Sequence, residues 1–506
     1  MSNENENKEP TYEEAKSRVY VLYTGGTFGM HKDESAPGTP LIPMTLKDLE
    51  KYIPKASKFV PDTYVKLDVL PNDERMDSSS MTPKSWLKIA KQIEKNYDEF
   101  DGFVVIQGTD TLSYTASALS FMFESLAKPV VVTGSQLPLV EARTDANLNY
   151  GHALQIAAWQ SSDLPLIPEV VVVFADRVLR GCRTRKMSAS AWTGFDTPNC
   201  PPLGEIGEHV RIFESQILPP PEKNVRFRLN ANLVMDVIDI SLFPGFQAKD
   251  IRRLLDNSET KGVVLRTYGT GNAPETPDFL AELRHAIQDE DKVVVNITQC
   301  PQGMVEMGLY AASVGLLDAG VISGLDMTPE AALTKMMVTM GTRIGDQVKL
   351  QMQINQRGEQ SQNLFDLAYP IKNFFPDGSL ITEPVRQYAQ PDARFRSTDI
   401  SSAVLRIDGL SMKWPKGGGT LDVYMGHPNA AAKDALEEDH PQRIHRIEVG
   451  KSSKAGRQDD GQIVQQLKKD QVRSLIVPGD ITLTVVPSKG VSFSMARLSL
   501  SLFTRA

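Results

Sequence analysis

The sequence predicts an α/β protein of two consecutive α/β domains with mainly parallel sheets, followed by a small all-β sandwich domain. Three observations lead there. From Ser17 to about Gln356, short β-branched and apolar runs alternate with helix-period stretches, the pattern of a parallel sheet covered on both faces. Prolines thicken between Pro198 and Pro221 and divide that region in two. From about Arg394, short alternating runs bounded by turn residues take over. The expected boundaries are a flexible leader at 1–16, a first α/β domain at 17–205, a linker at 206–232, a second α/β domain at 233–360, a linker at 361–393 and the β domain at 394–506.

The bulk properties agree. A chain of 506 residues is too long for one ordinary core, and 41% hydrophobic with 23% charged residues is a globular composition. The net charge of −8 gives the chain no polyanion-binding character, so no nucleic-acid partner is expected. Met1 to Lys16 is rich in Asn, Glu and Lys and lacks the apolar core of a signal peptide. No run approaches the ~18 apolar residues of a membrane span. Cys182, Cys200 and Cys300 show no CxxC spacing, which argues against a disulfide framework or a zinc site. A reducing cytoplasm is the expected compartment.

The first strand is Val19-Tyr20-Val21-Leu22-Tyr23, and it stops at Gly25-Gly26, with Thr27 just beyond. Paired glycines allow a sharp turn or a close backbone approach. A proline-bearing loop from Met30 to Pro43 has the composition of a lid or of a plain surface loop. Helices are expected at Thr45–Tyr52 and Thr82–Tyr97, with a strand at Tyr64–Leu70 between them. Phe103-Val104-Val105-Ile106 is a buried strand, Gln107 to Thr111 its turn, and Leu112–Leu126 the helix that follows. Further strands at Pro129–Thr133 and Val170–Phe174 lead into Gly134-Ser135-Gln136 and a basic loop from Arg177 to Lys186. The second block has strands at Val234–Ile240, Gly262–Leu265 and Val293–Ile297, and a helix from Thr328-Pro329 to Met340. In the β region, strands are expected at Ala403–Ile407, Thr420–Tyr424, Ile444–Val449, Ser474–Val477, Ile481–Val486 and Val491–Leu500.

Several common sites are excluded. Gly269-Thr270-Gly271 lacks the third glycine of a dinucleotide fingerprint, and Gly450-Lys451-Ser452 lacks the upstream glycine of a phosphate loop. There is no GxSxG and no HExxH, and His440 and His445 read as surface residues. What remains is a set of hydroxyls, a carboxylate and an amine past the carboxyl ends of successive strands, where open α/β sheets bind ligands. Thr27 follows the first strand, Thr109 and Asp110 a later one, and Lys186 lies in the basic loop. A threonine hydroxyl beside a carboxylate and a lysine can relay a proton toward a nucleophile or a water. Taken singly, Thr27 also suits a tight turn, and Thr109-Asp110-Thr111 suits helix capping.

Tyr23-Thr24-Gly25-Gly26-Thr27-Phe28-Gly29-Met30 and Gln107-Gly108-Thr109-Asp110-Thr111 resemble the two signature motifs of the bacterial-type L-asparaginases. The likeness extends through Asp77-Ser78-Ser79, Ala116 to Met122, Val132 to Gln136, Val178 to Lys186, Arg266 to Pro274 and Asn296 to Cys300. It covers roughly residues 17–360 and leans toward the cytoplasmic type I enzymes rather than the secreted type II ones. The resemblance implies that Thr27 is the nucleophile, that Thr109, Asp110 and Lys186 form the second triad, and that Asp77, Ser78 and Ser79, with Thr109 and Asp110, bind substrate. The implied reaction is hydrolysis of L-asparagine to L-aspartate and ammonia by way of a β-aspartyl ester, with no cofactor and no metal. A homo-oligomer built as a dimer of dimers is implied, each site closed by a neighbouring subunit, with no membrane partner.

Arg266 and Cys300 match the positions of a second, allosteric asparagine site in type I enzymes, although a surface ion pair and a buried thiol explain them equally. The sequence departs from many relatives in one respect: Phe28 to Pro43 contains no lid-loop tyrosine. Rival functions are L-glutaminase, a lysophospholipase-type activity, and a non-catalytic amino-acid sensor. The β region shares none of these motifs and is expected to be an accessory.

Overall fold

The computed structural model describes residues 9–32, 41–71, 74–221, 225–256, 259–307, 311–353, 355–369, 371, 378–382, 400–425, 442–449, 456–467, 472, 482–495 and 497–505. The chain forms two compact units, Met1–Met352 with Gln356–Ser361, and Gln353–Asn355 with Gln362–Ala506.

In the first unit, five parallel strands form one side of an eight-stranded sheet and end at the edge strand 63–69. Their order is 63–69, 17–23, 102–106, 130–133 and 170–174. The Val-rich strands are buried along their whole length because helices cover both faces, which is why they show no polar alternation. Each fully buried apolar side chain stabilises the fold by about 1.5–3 kcal/mol. One face packs Val19, Val21, Val104 and Val171 against the helix Ala146–Ala157. The other packs Tyr20, Leu22, Val105 and Val172 under the helices Pro83–Asn96 and Leu112–Met122.

That second core does not stop at the first domain. It continues into Val264, Val295 and Met336, so the two α/β domains share it. The second domain is a parallel sheet in the order 237–241, 262–267, 293–298, 322–323. The helix Pro329–Met340 lies in the shared core, is capped by Thr328 and packs against Leu112–Met122.

Some local expectations are corrected. The basic loop begins as a strand, Arg177–Arg180, antiparallel to Val170–Phe174, so the first sheet is mixed. Short strands at Gly204–Ile206 and Val210–Ile212 extend the same sheet, and Arg228–Leu229 pairs with Phe123–Glu124. Within the expected linker at 206–232, Ile206, Val210–Ile212 and Arg228–Leu229 lie in these strands. The helix after the 107–111 turn ends at Met122 rather than Leu126, because the Phe123 backbone becomes extended and pairs with Leu229 while its ring stays in the core.

The described residues of the second unit form two antiparallel sheets. One orders 362–369, 497–505, 400–414 and 456–467, and the other 380–382, 483–487, 419–425 and 443–449. Leu405 and Leu500 from the first and Val423 and Val485 from the second meet in one core, giving the sandwich. Strands Gln362–Tyr369 and Leu380–Thr382 fall inside the expected 361–393 linker. Gly456–Leu467 was not evident from the sequence because its first half is polar, which an edge strand with one hydrogen-bonded neighbour tolerates. The expected strand at Ser474–Val477, His440 and Gly450-Lys451-Ser452 lie outside the described residues.

The pairing relocates the natural cut between the units. Gln362–Tyr369 pairs with Arg497–Arg505, and Leu380–Thr382 with Leu483–Pro487, so a chain ending near Pro391 would keep two strands without their partners. A chain ending at Ser361 is expected to unfold in one cooperative transition by circular dichroism and to stay soluble. One ending at Pro391 is expected to aggregate, because its unpaired edges template association. Light scattering on both reads the difference.

Candidate active site

The site is built where three chain turns meet at the carboxyl edge of the first sheet. The first is Thr24–Thr27. Thr24 N donates to the Ile106 carbonyl at 2.9 Å, tying this turn to the end of the neighbouring strand. Gly25 and Gly26 both take positive φ, 115° and 85°, a region that L side chains avoid. A Cβ on Gly25 would fall on the Met76 backbone, and one on Gly26 on the Gly108 backbone. Both positions need glycine on two independent grounds. Thr27 then opens a short 3-10 turn, Thr27–Gly29, and is the one residue of Val19–Met30 that is not buried.

Tyr23 supports this turn from behind. Its ring is fully buried, and its hydroxyl donates to the Gly26 carbonyl at 3.2 Å. Burial raises the Tyr23 phenol well above its ordinary value, so it stays protonated and acts as a donor. The end of the first strand thus places a tyrosine against the Thr27 turn. Residues 33–40 of the Met30–Pro43 loop lie outside the described residues, and its ends pair as Met30–Lys32 with Leu41–Pro43.

The second turn carries Asp77, Ser78 and Ser79. Asp77 caps a 3-10 turn by accepting from Ser79 N at 2.8 Å, and both Asp77 and Ser79 are exposed. Ser78 is buried, and its hydroxyl oxygen accepts from Asp110 N at 3.1 Å. Its carbonyl accepts from the Thr111 hydroxyl at 2.8 Å, so the second turn is bolted to the third at two points. Gln107 Nε2 donates to the same Thr111 hydroxyl at 3.3 Å. Neither Gln107 nor Thr111 stood out as a bracing residue in the sequence, since a buried amide there has no local signature.

The third turn holds Thr109, buried, and Asp110, exposed. Lys186 reaches both: its Nζ lies 2.8 Å from Thr109 Oγ1 and 2.7 Å from Asp110 Oδ1. The Lys186 side chain is 20% exposed and that of Asp110 61%, so the pair forms at the mouth of the site. Thr109 does not cap the following helix; the cap position falls on Thr111, which makes no side-chain cap. Its hydroxyl is directed to the lysine instead. An amine held between a hydroxyl and a carboxylate can take up and return a proton.

Arg266 and Cys300 lie apart from this cluster. Both sit at the carboxyl edge of the second sheet, near the ends of the paired strands Gly262–Thr267 and Val293–Thr298. Arg266 Nε pairs with Asp239 Oδ1 at 2.8 Å, and Cys300 is exposed rather than buried. Among the described residues, no group of three or more His, Cys, Asp or Glu is arranged to hold a metal, and no helix is long and apolar enough to cross a membrane.

Residues 18–218 match the family described as asparaginase, N-terminal, and residues 236–351 match the glutaminase/asparaginase C-terminal domain. The chain is 41% identical over 348 residues to L-asparaginase 1 of Escherichia coli (strain K12), spanning 68% of this chain and 98% of that protein. It is 38% identical over 343 residues to the 60 kDa lysophospholipase of Mus musculus, spanning 64% of this chain and 58% of that one. The crystal structure of L-asparaginase I from Vibrio cholerae O1 biovar eltor str. N16961 superposes with a TM-score of 0.61 at 39% identity, covering 69% of this chain and all of that one. The β region from Gln362 lies outside both family matches.

The Gly26–Gly108 contact yields a test. Gly26→Ala is expected to lose at least about a hundredfold in turnover, since a side chain there forces the Thr27 and Thr109 turns apart. The forbidden φ alone should destabilise the fold by ~1–3 kcal/mol. Gly207→Ala, where a Cβ meets nothing within 4 Å, is expected to be neutral in both assays. Steady-state kinetics and thermal melting of the two variants check this.

Proposed function

This chain belongs to the asparaginase family of amidohydrolases, and we propose that it hydrolyses L-asparagine to L-aspartate and ammonia through a threonine nucleophile. The observation that carries the reading is the position of Lys186 Nζ between Thr109 Oγ1 and Asp110 Oδ1, at the edge where Thr27 is the one unburied residue of its turn.

In this reading the Thr27 hydroxyl oxygen attacks the side-chain amide carbon and yields its proton. The C–N bond breaks, ammonia leaves with that proton, and a β-aspartyl ester remains on Thr27. Water then attacks the ester, giving a proton to the Thr109–Lys186 pair, which returns one to the Thr27 oxygen as aspartate leaves. Backbone N–H groups of the glycine turn are suited to stabilise the oxyanion of both steps. Recognition of the zwitterion falls to the other two turns. Asp110 offers a carboxylate to the α-ammonium, and the Ser78 hydroxyl, already accepting from Asp110 N, is left to donate to the α-carboxylate. Asp77 and Ser79, exposed beside it, would complete the substrate turn.

The same reading carries a cytoplasmic homo-oligomer, a dimer of dimers without cofactor, nucleic-acid or membrane partner. The likeness to the mouse lysophospholipase favours a lysophospholipid as the second substrate to try, with glutamine as the third. Ammonia release from asparagine and glutamine, and fatty-acid release from a lysophospholipid, measured side by side, separate these; fastest turnover of asparagine is expected.

Thr27→Ala is expected to remain folded and to lose turnover entirely. Thr109→Val and Lys186→Met should each lose about a hundredfold or more, and the double variant little beyond that, because the two would act as one unit. Fully additive losses would disprove a shared relay. Arg266 and Cys300 are read as a second asparagine site, so asparagine saturation is expected to be sigmoidal and Arg266→Ala to make it hyperbolic while turnover persists. A hyperbolic curve in the unaltered protein would remove that site.

A further inference from the structure

Lys186 sits on a rung that cannot hold itself. Its strand is two residues long, Arg185–Lys186, paired antiparallel with Phe195–Asp196. A two-stranded pair of this length is not stable alone. Side chains on neighbouring strand residues point to opposite faces, so whatever fixes Arg185 on one face sets where Lys186 stands on the other.

Arg185 is fixed from the second α/β domain. Its Nε lies 3.6 Å from Oε2 of Glu330, in the first turn of the helix Pro329–Met340. A carboxylate is favoured there by the helix dipole. The Glu330 side chain is 10% exposed, and Oε2 has no hydrogen-bond partner, so this contact is its principal compensation. Burial raises the Glu330 carboxyl, and Arg185 pulls it back. Two further elements face the same carboxylate. Tyr114, one turn into the helix that follows Thr109 and Asp110, lies within electrostatic reach of Glu330, and so does the Arg266–Asp239 pair.

Glu330 therefore touches the strand that carries Lys186 and lies beside the helix that follows Lys186's two partners. The neighbouring anchor differs in kind. Arg183 pairs with Asp326 at 2.8 Å, with both side chains 4% exposed, and donates to the Gly358 carbonyl at 2.6 Å. That arrangement is multiply bonded and holds the fold. The Arg185–Glu330 contact is single, longer and more exposed, so its loss should cost position before it costs stability.

We infer that Glu330, acting through Arg185, is a positioning residue of the second α/β domain that holds the Lys186 amine in register with Thr109 and Asp110. The inference rests on the proposed role of Lys186 in proton transfer.

The test is a double-mutant cycle on the full chain with asparagine as substrate. Arg185→Met and Glu330→Gln are each expected to lower kcat about tenfold with KM within about twofold, since proton transfer suffers and the Ser78 and Asp110 contacts to substrate do not. The double variant should lose no more than either single one. Arg185→Lys, which keeps the charge, should recover most of the loss. Thermal melts of Glu330→Gln, Arg185→Lys and the double variant should stay close to the parent, while Arg185→Met, which leaves the buried Glu330 without its cation, should melt lower. Unchanged kcat in a folded Arg185→Met protein, additive losses, or losses that track melting temperature instead of charge would each overturn the inference. If Glu330→Gln fails to fold, Arg185→Met against Arg185→Lys decides alone. Lys186→Met run in parallel separates the premises: full activity there removes the relay and the strut together, whereas an inactive Lys186→Met beside a normal Arg185→Met removes only the strut.

Discussion

The constraint on which the site depends is a contact between two backbones. Gly26 and Gly108 approach so closely that neither position has room for a Cβ: at Gly26 it would meet Gly108, and at Gly108 it would lie 2.7 Å from Ser78 Oγ and 3.2 Å from the Gly26 Cα. Two loops from adjacent parallel strands are thereby brought to van der Waals contact, with the Ser78 turn pressed on the third side. The parallel register makes this possible. Tyr23 pairs with Ile106 and Val69, so all three strands end at one level and their turns emerge side by side. Placing reacting groups by backbone contact loses less to side-chain disorder than placing them by long flexible chains.

The long flexible side chain at the site, Lys186, is held differently. The segment from Arg180 to Lys186 is a series of basic residues, each with its own acidic partner. Arg180 pairs with Glu169 at 2.6 Å, Arg183 with Asp326 at 2.8 Å, Arg185 with Glu330, and Lys186 with Asp110. Taking ions out of water costs several kcal/mol each, so such a series survives only if each charge is matched and further hydrogen-bonded. Arg180 and Arg183 meet that condition through the Gln216 and Gly358 carbonyls. The same logic ties down the return segment 356–361. Glu359 and Lys335 pair at 2.6 Å with no exposure, and Glu359 also accepts from Gln356 N and Arg357 N. Burial by itself would raise the Glu359 carboxyl; Lys335 more than offsets this and holds it below the ordinary range. Burial also pushes the adjoining Cys182 thiol up to about 12, which leaves it inert packing.

What could be read from the sequence follows from which forces are local. The valine-rich strands, Gly25-Gly26, and the Thr109-Asp110 turn were legible because strand periodicity, positive φ and turn chemistry are written within a few residues. The meeting of Lys186 with Thr109 and Asp110 rested on resemblance, since 76 residues separate Lys186 from Asp110. The bracing by Gln107, Thr111 and Tyr23 was not legible. A hydroxyl or amide that braces a turn looks in sequence like any polar residue near a glycine. In the β region the polar start of Gly456–Leu467 and the proline-rich surroundings of Gln362–Tyr369 hid strands that only long-range pairing defines.

The shared core ties the proposed chemistry at the first sheet to the second domain. The helices Leu112–Met122 and Pro329–Met340 pack together inside one hydrophobic cluster that includes strands from both sheets. The first helix begins directly after Thr109, Asp110 and Thr111, and the second begins with Thr328, Pro329 and Glu330. Close-packed interiors yield little, so the start of one helix is fixed relative to the start of the other. Two buried helix starts, one below the Thr109 turn and one facing Arg185, therefore form a rigid frame between which Lys186 is suspended. The second domain supplies no residue to the three converging turns. Its part in the proposed reaction is to hold, through Arg185 and Glu330, the short strand from which the Lys186 side chain extends.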